Sequence, residues 1–144
     1  GMFARCNGMF AAAFHDAETD TLTLARDHLG IKPLYYADEP GCFAFASEIG
    51  PLARGGLATT TLNAAVLADY FQFLYAPGEE TIHLGIRAVP PGSVLTCQHN
   101  SVTIAPFWQL RFRPEAGWTL DEAAELGSDP RAFTAPTGAI IVPP

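Results

Sequence analysis

Charged residues, cysteines and long apolar runs are all scarce in this chain, and each shortage excludes a class of protein. Charged residues make up 16% of the 144 residues, below the usual ~25%, which indicates surface that another domain normally covers. No apolar run approaches the ~20 residues that a membrane-spanning helix needs, and no signal-peptide pattern opens the chain. We therefore expect a cytoplasmic protein with no membrane partner.

The three cysteines and four histidines form no recognisable metal or disulfide pattern. Cys6, Cys42 and Cys97 are odd in number and scattered, which argues against a disulfide framework, and no Cys/His spacing matches a zinc site. The formal net charge is −7, and Lys and Arg do not cluster. Since binding to phosphates requires a basic patch, we expect no nucleic-acid partner and no metal site.

The chain does contain the composition and patterning of one globular domain. Hydrophobic residues make up 49% of the sequence, and this length is enough for a sizeable core. Period-two alternation predicts an antiparallel pair of strands at 9–15 and Thr21–Arg26. A second pair is predicted at 34–37 and Cys42–Ala46, joined by a turn at 38–41.

Two helices are predicted after these strands. Ser47 is placed to cap a short helix whose length Gly50-Pro51 limits. Asn63 is predicted as the N-cap of a helix from Ala64 to about Tyr75, and we expect its apolar side chains to pack into the core. Those side chains are Val66, Leu67, Tyr70, Phe71, Phe73, Leu74 and Tyr75.

The last part of the chain is predicted to hold a hairpin and a tail. The hairpin pairs 93–97 with 102–104 around His99-Asn100-Ser101. A capping box at 119–122 predicts a short helix at about 120–126. Residues 128–144 are rich in Pro, Gly, Ser and Thr, so we expect them to be poorly ordered.

Four blocks of sequence follow one another in an informative order. The first is Asn7-Gly8-Met9-Phe10-Ala11, the second runs from 25 to 36, and the third from 45 to 49. The fourth comprises Thr81-Ile82, Gly85-Ile86, 90–95 and the pair Phe107-Trp108. In this order they resemble the glutaminase domain of glutamine-hydrolysing asparagine synthetases, a class II amidotransferase domain with an N-terminal nucleophile.

Fourteen scaffold residues belong to the segments that resemble the family. They are Gly8, Met9, Phe10, Arg26, Asp27, Gly30, Lys32, Pro33, Tyr35, Tyr36, Ser47, Glu48, Pro91 and Gly92. Phosphoribosyl amidotransferases have a segment similar to 26–34. The fourth block, together with Lys32 and Tyr35-Tyr36, favours the asparagine synthetase branch.

The resemblance implies both a fold and a parent activity. The fold is α+β, a partial N-terminal-nucleophile αββα sandwich with antiparallel sheets. The parent enzyme hydrolyses glutamine with an N-terminal cysteine, whose own α-amine is the base, and an Asn-Gly pair stabilises the oxyanion. The ammonia then passes to a second domain, where ATP and magnesium support its transfer to aspartate.

In the family these reacting groups precede the Asn-Gly-Met-Phe strand, and an ATP-binding Ser-Gly-Gly-x-Asp-Ser loop follows the aromatic-Trp pair. This sequence contains neither. We therefore expect residues 1–112 to be the C-terminal portion of a glutaminase domain and 113–144 to be a tail. The ATP-binding synthetase domain is expected to be absent.

The functional expectation is a fragment or degenerate copy of an asparagine synthase that is inactive by itself. No residue is assigned to catalysis, to substrate binding or to a cofactor, and ATP, magnesium, glutamine and aspartate belong to the full-length family. Two alternatives stay open. The chain could be a non-catalytic module that associates through an exposed sheet edge, or a fragment of a related amidotransferase with another acceptor.

Four motifs have a reactive interpretation beside a structural one. Cys6-Asn7-Gly8 resembles a nucleophile beside an oxyanion pair, but Cys6 has no free α-amine, so we expect a packing role. Arg26-Asp27 could hold a substrate, or instead form a structural ion pair or loop hydrogen bonds. Lys32 could bind an anion or be a solvated loop lysine. Ser47-Glu48 is expected to cap a helix, since no histidine lies nearby to activate the serine.

Overall fold

A computed structural model describes residues 2–111, and those up to Gln109 belong to one compact unit. A 3₁₀ helix at Phe3–Arg5 comes first. The strands are β1 Ala11–Asp16, β2 Thr21–Arg26, β3 Tyr35–Glu39, β4 Cys42–Ala46, β5 Arg87–Ala88, β6 Ser93–Gln98 and β7 Ser101–Pro106. The helices are α1 Ile49–Arg54 and α2 Ala64–Phe73. The helix predicted at 120–126 and the tail lie outside the described residues.

The strands form two antiparallel sheets. The four-stranded sheet has the order β1-β2-β6-β7, and the three-stranded sheet has the order β4-β3-β5. The fold class is therefore α+β with antiparallel sheets, as the resemblance predicts. Within the described residues β1 and β7 each have one unpaired edge, and most of their residues are exposed.

The hydrophobic core lies between the two sheets. Leu24 of β2 and Leu95 of β6 contribute from the four-stranded sheet, and both are fully buried. Tyr36 of β3 contributes from the other sheet, and Leu34, just before β3, and Val89, just after β5, belong to the same cluster. Burying one such aliphatic side chain stabilises the fold by about 1.5–3 kcal/mol, so this cluster holds the sheets face to face.

The three predicted hairpins are present. β1 pairs with β2, β3 with β4, and β6 with β7. The last hairpin turns on His99 and Asn100, whose φ values are 48° and 59°. Two consecutive positive φ values match the type I′ turn that joins strands through two residues. Ser101 therefore begins β7, one residue earlier than the sequence predicted.

The helix termini follow the sequence only in part. Asn63 caps α2, because its side-chain oxygen accepts a hydrogen bond from the N–H of Val66. The prediction for Ser47 was wrong, since the N-cap of α1 is Glu48 and its side chain makes no capping bond. Gly50-Pro51 lies inside α1. Pro51 is tolerated there because the first turn of a helix has no acceptor for its missing N–H.

The predicted burial of α2 was wrong for most of its apolar face. Val66 is buried, but Phe71 and Leu74 are 76% and 79% exposed. Tyr70, Phe73 and Tyr75 are also exposed. The helical spacing identified a common apolar face, but it did not establish that anything within residues 2–111 covers it.

No helix among residues 2–111 combines the length and the apolar character needed to cross a membrane.

Candidate functional site

The two longest blocks of the resemblance meet where the chain passes between the sheets. Loop 26–33 leaves β2 in one sheet and leads to β3 in the other, and turn 90–92 leads back from β5 to β6. The N–H of Gly92 donates to the Asp27 carbonyl at 2.9 Å, which holds the two connections together. We call this region, made of 26–33, 90–92 and 107–108, the sheet junction.

The Asp27 carboxylate is the centre of the sheet junction. It is 1% exposed. Its Oδ1 accepts hydrogen bonds from the N–H groups of Leu29 and Ile31, at 3.2 and 2.9 Å. Its Oδ2 accepts from the N–H groups of Phe10 and Lys32, at 3.3 and 2.9 Å. One side chain thus fixes its own loop and ties that loop to the start of β1.

The environment of Asp27 favours the ionised carboxylate. Burial raises the pKa of Asp27. Hydrogen bonds from the N–H groups of Lys32, Ile31, Phe10 and Leu29 lower it by more than burial raises it, so the pKa lies below the usual aspartate value. Hydrogen bonds to the charged form are the reason for this direction. The carboxylate is consequently charged at neutral pH although it is buried.

The Arg26 guanidinium binds three backbone carbonyls. Its Nε donates to Lys32 at 2.9 Å, one terminal nitrogen donates to Val89 at 2.8 Å, and the other donates to Gly30 at 2.7 Å. Val89 adjoins the other connection, so Arg26 also links the two crossings. The planar fork of arginine suits several fixed acceptors at once.

Two glycines allow the close approach of these backbones. Gly30 has φ +66°, and a Cβ there would meet Pro91 Cγ at 2.8 Å and the Arg26 guanidinium carbon at 3.1 Å. Gly92 has φ +62°, and a Cβ there would meet the Trp108 carbonyl oxygen at 2.7 Å. Both the positive φ and the lack of space require glycine at these positions.

Aromatic side chains cover one side of the sheet junction. The carbonyl of Gly92 accepts from the N–H groups of Phe107 and Trp108, at 2.8 and 3.1 Å. The His28 ring meets both aromatic rings edge-on, with centroids 5.4 and 5.3 Å apart. Phe10 stacks on Phe107 at 6.4 Å. The aromatic pair after β7 therefore packs against the loop after β2.

The polar side-chain atoms of Arg26 and Asp27 bind backbone groups of the fold. Within residues 2–111 the two side chains form no ion pair with each other, and their polar atoms are bound to main-chain groups. Loop hydrogen bonds, the structural alternative, are what the site contains. Lys32 contributes its N–H and its carbonyl to the sheet junction.

Several of the remaining scaffold residues lie at or just before the starts of β3 and α1. Tyr35 and Tyr36 begin β3 and Pro33 precedes it, while Glu48 is the N-cap of α1. The other scaffold positions away from the sheet junction are Gly8, which has a φ of 128°, Met9, which is 59% exposed, and Ser47, just before α1.

The three thiols differ in their exposure and surroundings. Cys6 is exposed, and its sulfur lies 3.7 Å from the Met2 carbonyl oxygen. Cys42 is also exposed. Burial, and then the charges of Asp38 and Asp20, raise the pKa of the Cys97 thiol. A nucleophilic cysteine requires the opposite direction.

Nothing in residues 2–111 brings together three or more His, Cys, Asp or Glu side chains in a way that could hold a metal ion.

The sequence did not indicate every residue that binds the sheet junction. Val89 was missed, because its contribution is a carbonyl oxygen bound by a guanidinium 63 positions away in the chain. A backbone acceptor has no residue-type signal.

Comparison with known proteins gives one family. A family model described as a glutamine amidotransferase domain matches residues 1–108. Asparagine synthetase (glutamine-hydrolyzing) 3 of Bacillus subtilis is 31% identical over 106 residues, which cover 72% of this chain and 17% of that protein. A putative asparagine synthetase (glutamine-hydrolyzing) of Mycobacterium bovis is 38% identical over 91 residues, 61% of this chain and 14% of that protein. The chain thus spans less than a fifth of the length of either relative.

We expect Asp27→Asn to destabilise the fold. An amide presents one oxygen, so one pair of N–H groups loses its acceptor, and each buried N–H left unsatisfied costs roughly 1–3 kcal/mol. Because the folded pKa of Asp27 is lowered, its contribution is complete above the ordinary aspartate pKa of ~3.9 and is lost as pH falls through the lowered value. Urea denaturation of both proteins over a pH series should show a gap of at least about 2 kcal/mol at pH 7 that narrows on acidification.

The control for this change is Asp20→Asn, because the Asp20 side chain is 83% exposed in a turn. It should alter stability by less than about 0.5 kcal/mol. A small Asp27 effect, or a gap that stays constant with pH, would contradict the role given to this carboxylate.

We expect Gly92→Ala to cost more than Gly41→Ala. Both glycines have positive φ, but nothing lies within 4 Å of a Cβ at Gly41, whereas one at Gly92 meets a backbone oxygen. The left-handed conformation costs an alanine about 1–2 kcal/mol at either position, and crowding adds about 1–3 kcal/mol at Gly92 alone. Equal losses in the free energy of unfolding would show that the turn relaxes freely.

Proposed function

The chain belongs to the glutamine amidotransferase domain family, and we propose that these residues form the scaffold of a glutaminase domain and not its reacting groups. The observation that carries the proposal is the state of Arg26 and Asp27. Their charged atoms are bound to backbone groups of the sheet junction, so they hold the two sheets together instead of holding a substrate. The family activity would then need a nucleophile and substrate contacts from other residues.

The parent reaction that we propose is the one named for the relatives, a glutamine-hydrolysing asparagine synthetase. In such a protein glutamine would supply ammonia, and aspartate would receive it with ATP and magnesium. These ligands would be bound by parts of the synthetase other than residues 2–111. A related amidotransferase with a different acceptor would use the same scaffold, because the acceptor is chosen in the synthetase part.

By itself this chain is expected not to hydrolyse glutamine. Cys6 and Cys42 are exposed thiols, and Cys97 has a raised pKa. The measurement is glutamate release from glutamine by the purified chain, alongside Cys6→Ala and Cys97→Ala variants. All three proteins should stay at background. Turnover that disappears in Cys6→Ala would overturn the proposal.

A positive test of the scaffold role uses a chimera with the Bacillus subtilis relative. The 106 matched residues of that protein are replaced by the corresponding residues of this chain, and glutamine-dependent activity is measured. We expect activity to be retained. The same chimera with Asp27→Asn should lose thermal stability, and ammonia-dependent activity of the chimera reports whether its remainder is folded. A folded chimera without glutaminase activity would count against the proposal.

A second candidate function is favoured by exposed apolar side chains at the C-terminal end of α2 and just beyond it. Phe71, Leu74 and Tyr75 are 76%, 79% and 60% exposed, and a soluble monomer seldom leaves so many large apolar side chains together in water. The chain would then be a non-catalytic module that associates with a second copy of itself, since a twofold contact buries the same patch on both copies.

Size-exclusion chromatography with light scattering tests this second candidate. The mass should rise with protein concentration, and Phe71→Ser should return the chain to a monomer by removing apolar area from the contact. Leu57→Ser is the control, because Leu57 is 41% exposed and lies outside α2. A monomer at every concentration, or dissociation by both substitutions, would eliminate association through α2.

A further inference from the structure

A cavity of about 400 Å³ lies between the two sheets and away from the sheet junction. Tyr36 and Asp38 of β3 and Arg87 of β5 line one wall, and Val102 and Ile104 of β7 line the other. Leu84 and Gly85 complete the lining. This volume is at the lower end of the range for small-molecule sites, so the cavity suits a metabolite and not a macromolecule.

The strand register explains why these side chains share the cavity. Tyr36 lies directly opposite Arg87, and Asp38 follows Tyr36 by two positions on the same face of β3. In the other sheet Ile104 lies opposite the buried Leu95. Side chains directly opposite each other have Cβ atoms about 4.5–5.5 Å apart, so a tyrosine hydroxyl and a guanidinium are available on one side. The Asp38 carboxylate lies two positions further along β3.

The charged side chains of the cavity form no ion pairs within residues 2–111. In the part of the chain that the structure describes, Arg87 and Asp38 are exposed and their side chains form no ion pair, with each other or with any other residue. Tyr36 is only 5% exposed, and no group of residues 2–111 forms a hydrogen bond with its hydroxyl. A phenol hydroxyl can both donate and accept a hydrogen bond, so it is available to a polar group of a molecule in the cavity.

We propose that this cavity binds a free aliphatic α-amino acid such as leucine. Arg87 and the Tyr36 hydroxyl bind the carboxylate, and Asp38 binds the ammonium group. Leu84, Val102 and Ile104 contact the aliphatic side chain. One positive and one negative group without partners, on an aliphatic wall, are complementary to a zwitterion of this kind. The inference does not depend on glutamine hydrolysis, because it uses none of the residues of the sheet junction.

The ligand is tested first on the unaltered chain. The ¹⁵N-labelled protein is titrated with L-leucine, N-acetyl-L-leucine, L-leucinamide and L-glutamine while amide chemical shifts are recorded. L-leucine should give saturable shifts at residues that line the cavity. N-acetyl-L-leucine lacks the ammonium group and L-leucinamide lacks the carboxylate, so each should bind at least about tenfold more weakly. L-glutamine should also bind more weakly, because its amide would face the aliphatic wall.

Substitutions then test the residues. Arg87→Gln and Asp38→Asn should each weaken L-leucine binding at least about tenfold, and Tyr36→Phe should weaken it without unfolding the chain. Arg5→Gln and Glu18→Gln change the same kinds of charge outside the cavity lining and should leave binding unchanged. Equal binding of leucine and its two blocked forms would overturn the proposal even if a variant failed to fold. The absence of saturable shifts would overturn it as well.

Discussion

The buried carboxylate of Asp27 is the interaction on which the arrangement of the two sheets depends. It accepts four backbone N–H groups, one from the start of β1 and three from the loop that leads to β3. A charge in the interior is costly unless hydrogen bonds replace its hydration, and here they do. The carbonyl of the same residue binds the returning turn at Gly92, so both passages of the chain between the sheets meet at one residue.

This geometry changes what the family resemblance means. Arginine and aspartate in adjacent positions suggest a substrate clamp when only the sequence is known. In the fold Arg26 binds carbonyls and Asp27 binds N–H groups, so the pair recognises its own backbone. The resemblance at these positions therefore reports a way of joining two sheets.

The hairpins could be predicted because their signals are local. Alternating side chains define each strand, and turns such as Pro40-Gly41 and His99-Asn100 define where the chain reverses. The fate of α2 could not be predicted in this way, since helical spacing shows which residues share a face but not what lies against it. β5 has two residues and exists because β3 offers it an edge. The cavity beside Arg87 likewise depends on distant pairing, which residue spacing alone does not reveal.

The N–H groups that surround Asp27 belong to residues whose own side chains point elsewhere. Leu29 and Ile31 are 57% and 54% exposed, although their backbones are fixed by a buried charge. The path of this loop is thus determined by Asp27 and by Gly30. The side chains of Leu29 and Ile31 do not determine this path. Substitutions at these two positions can therefore change the surface of the loop without changing its course through the fold.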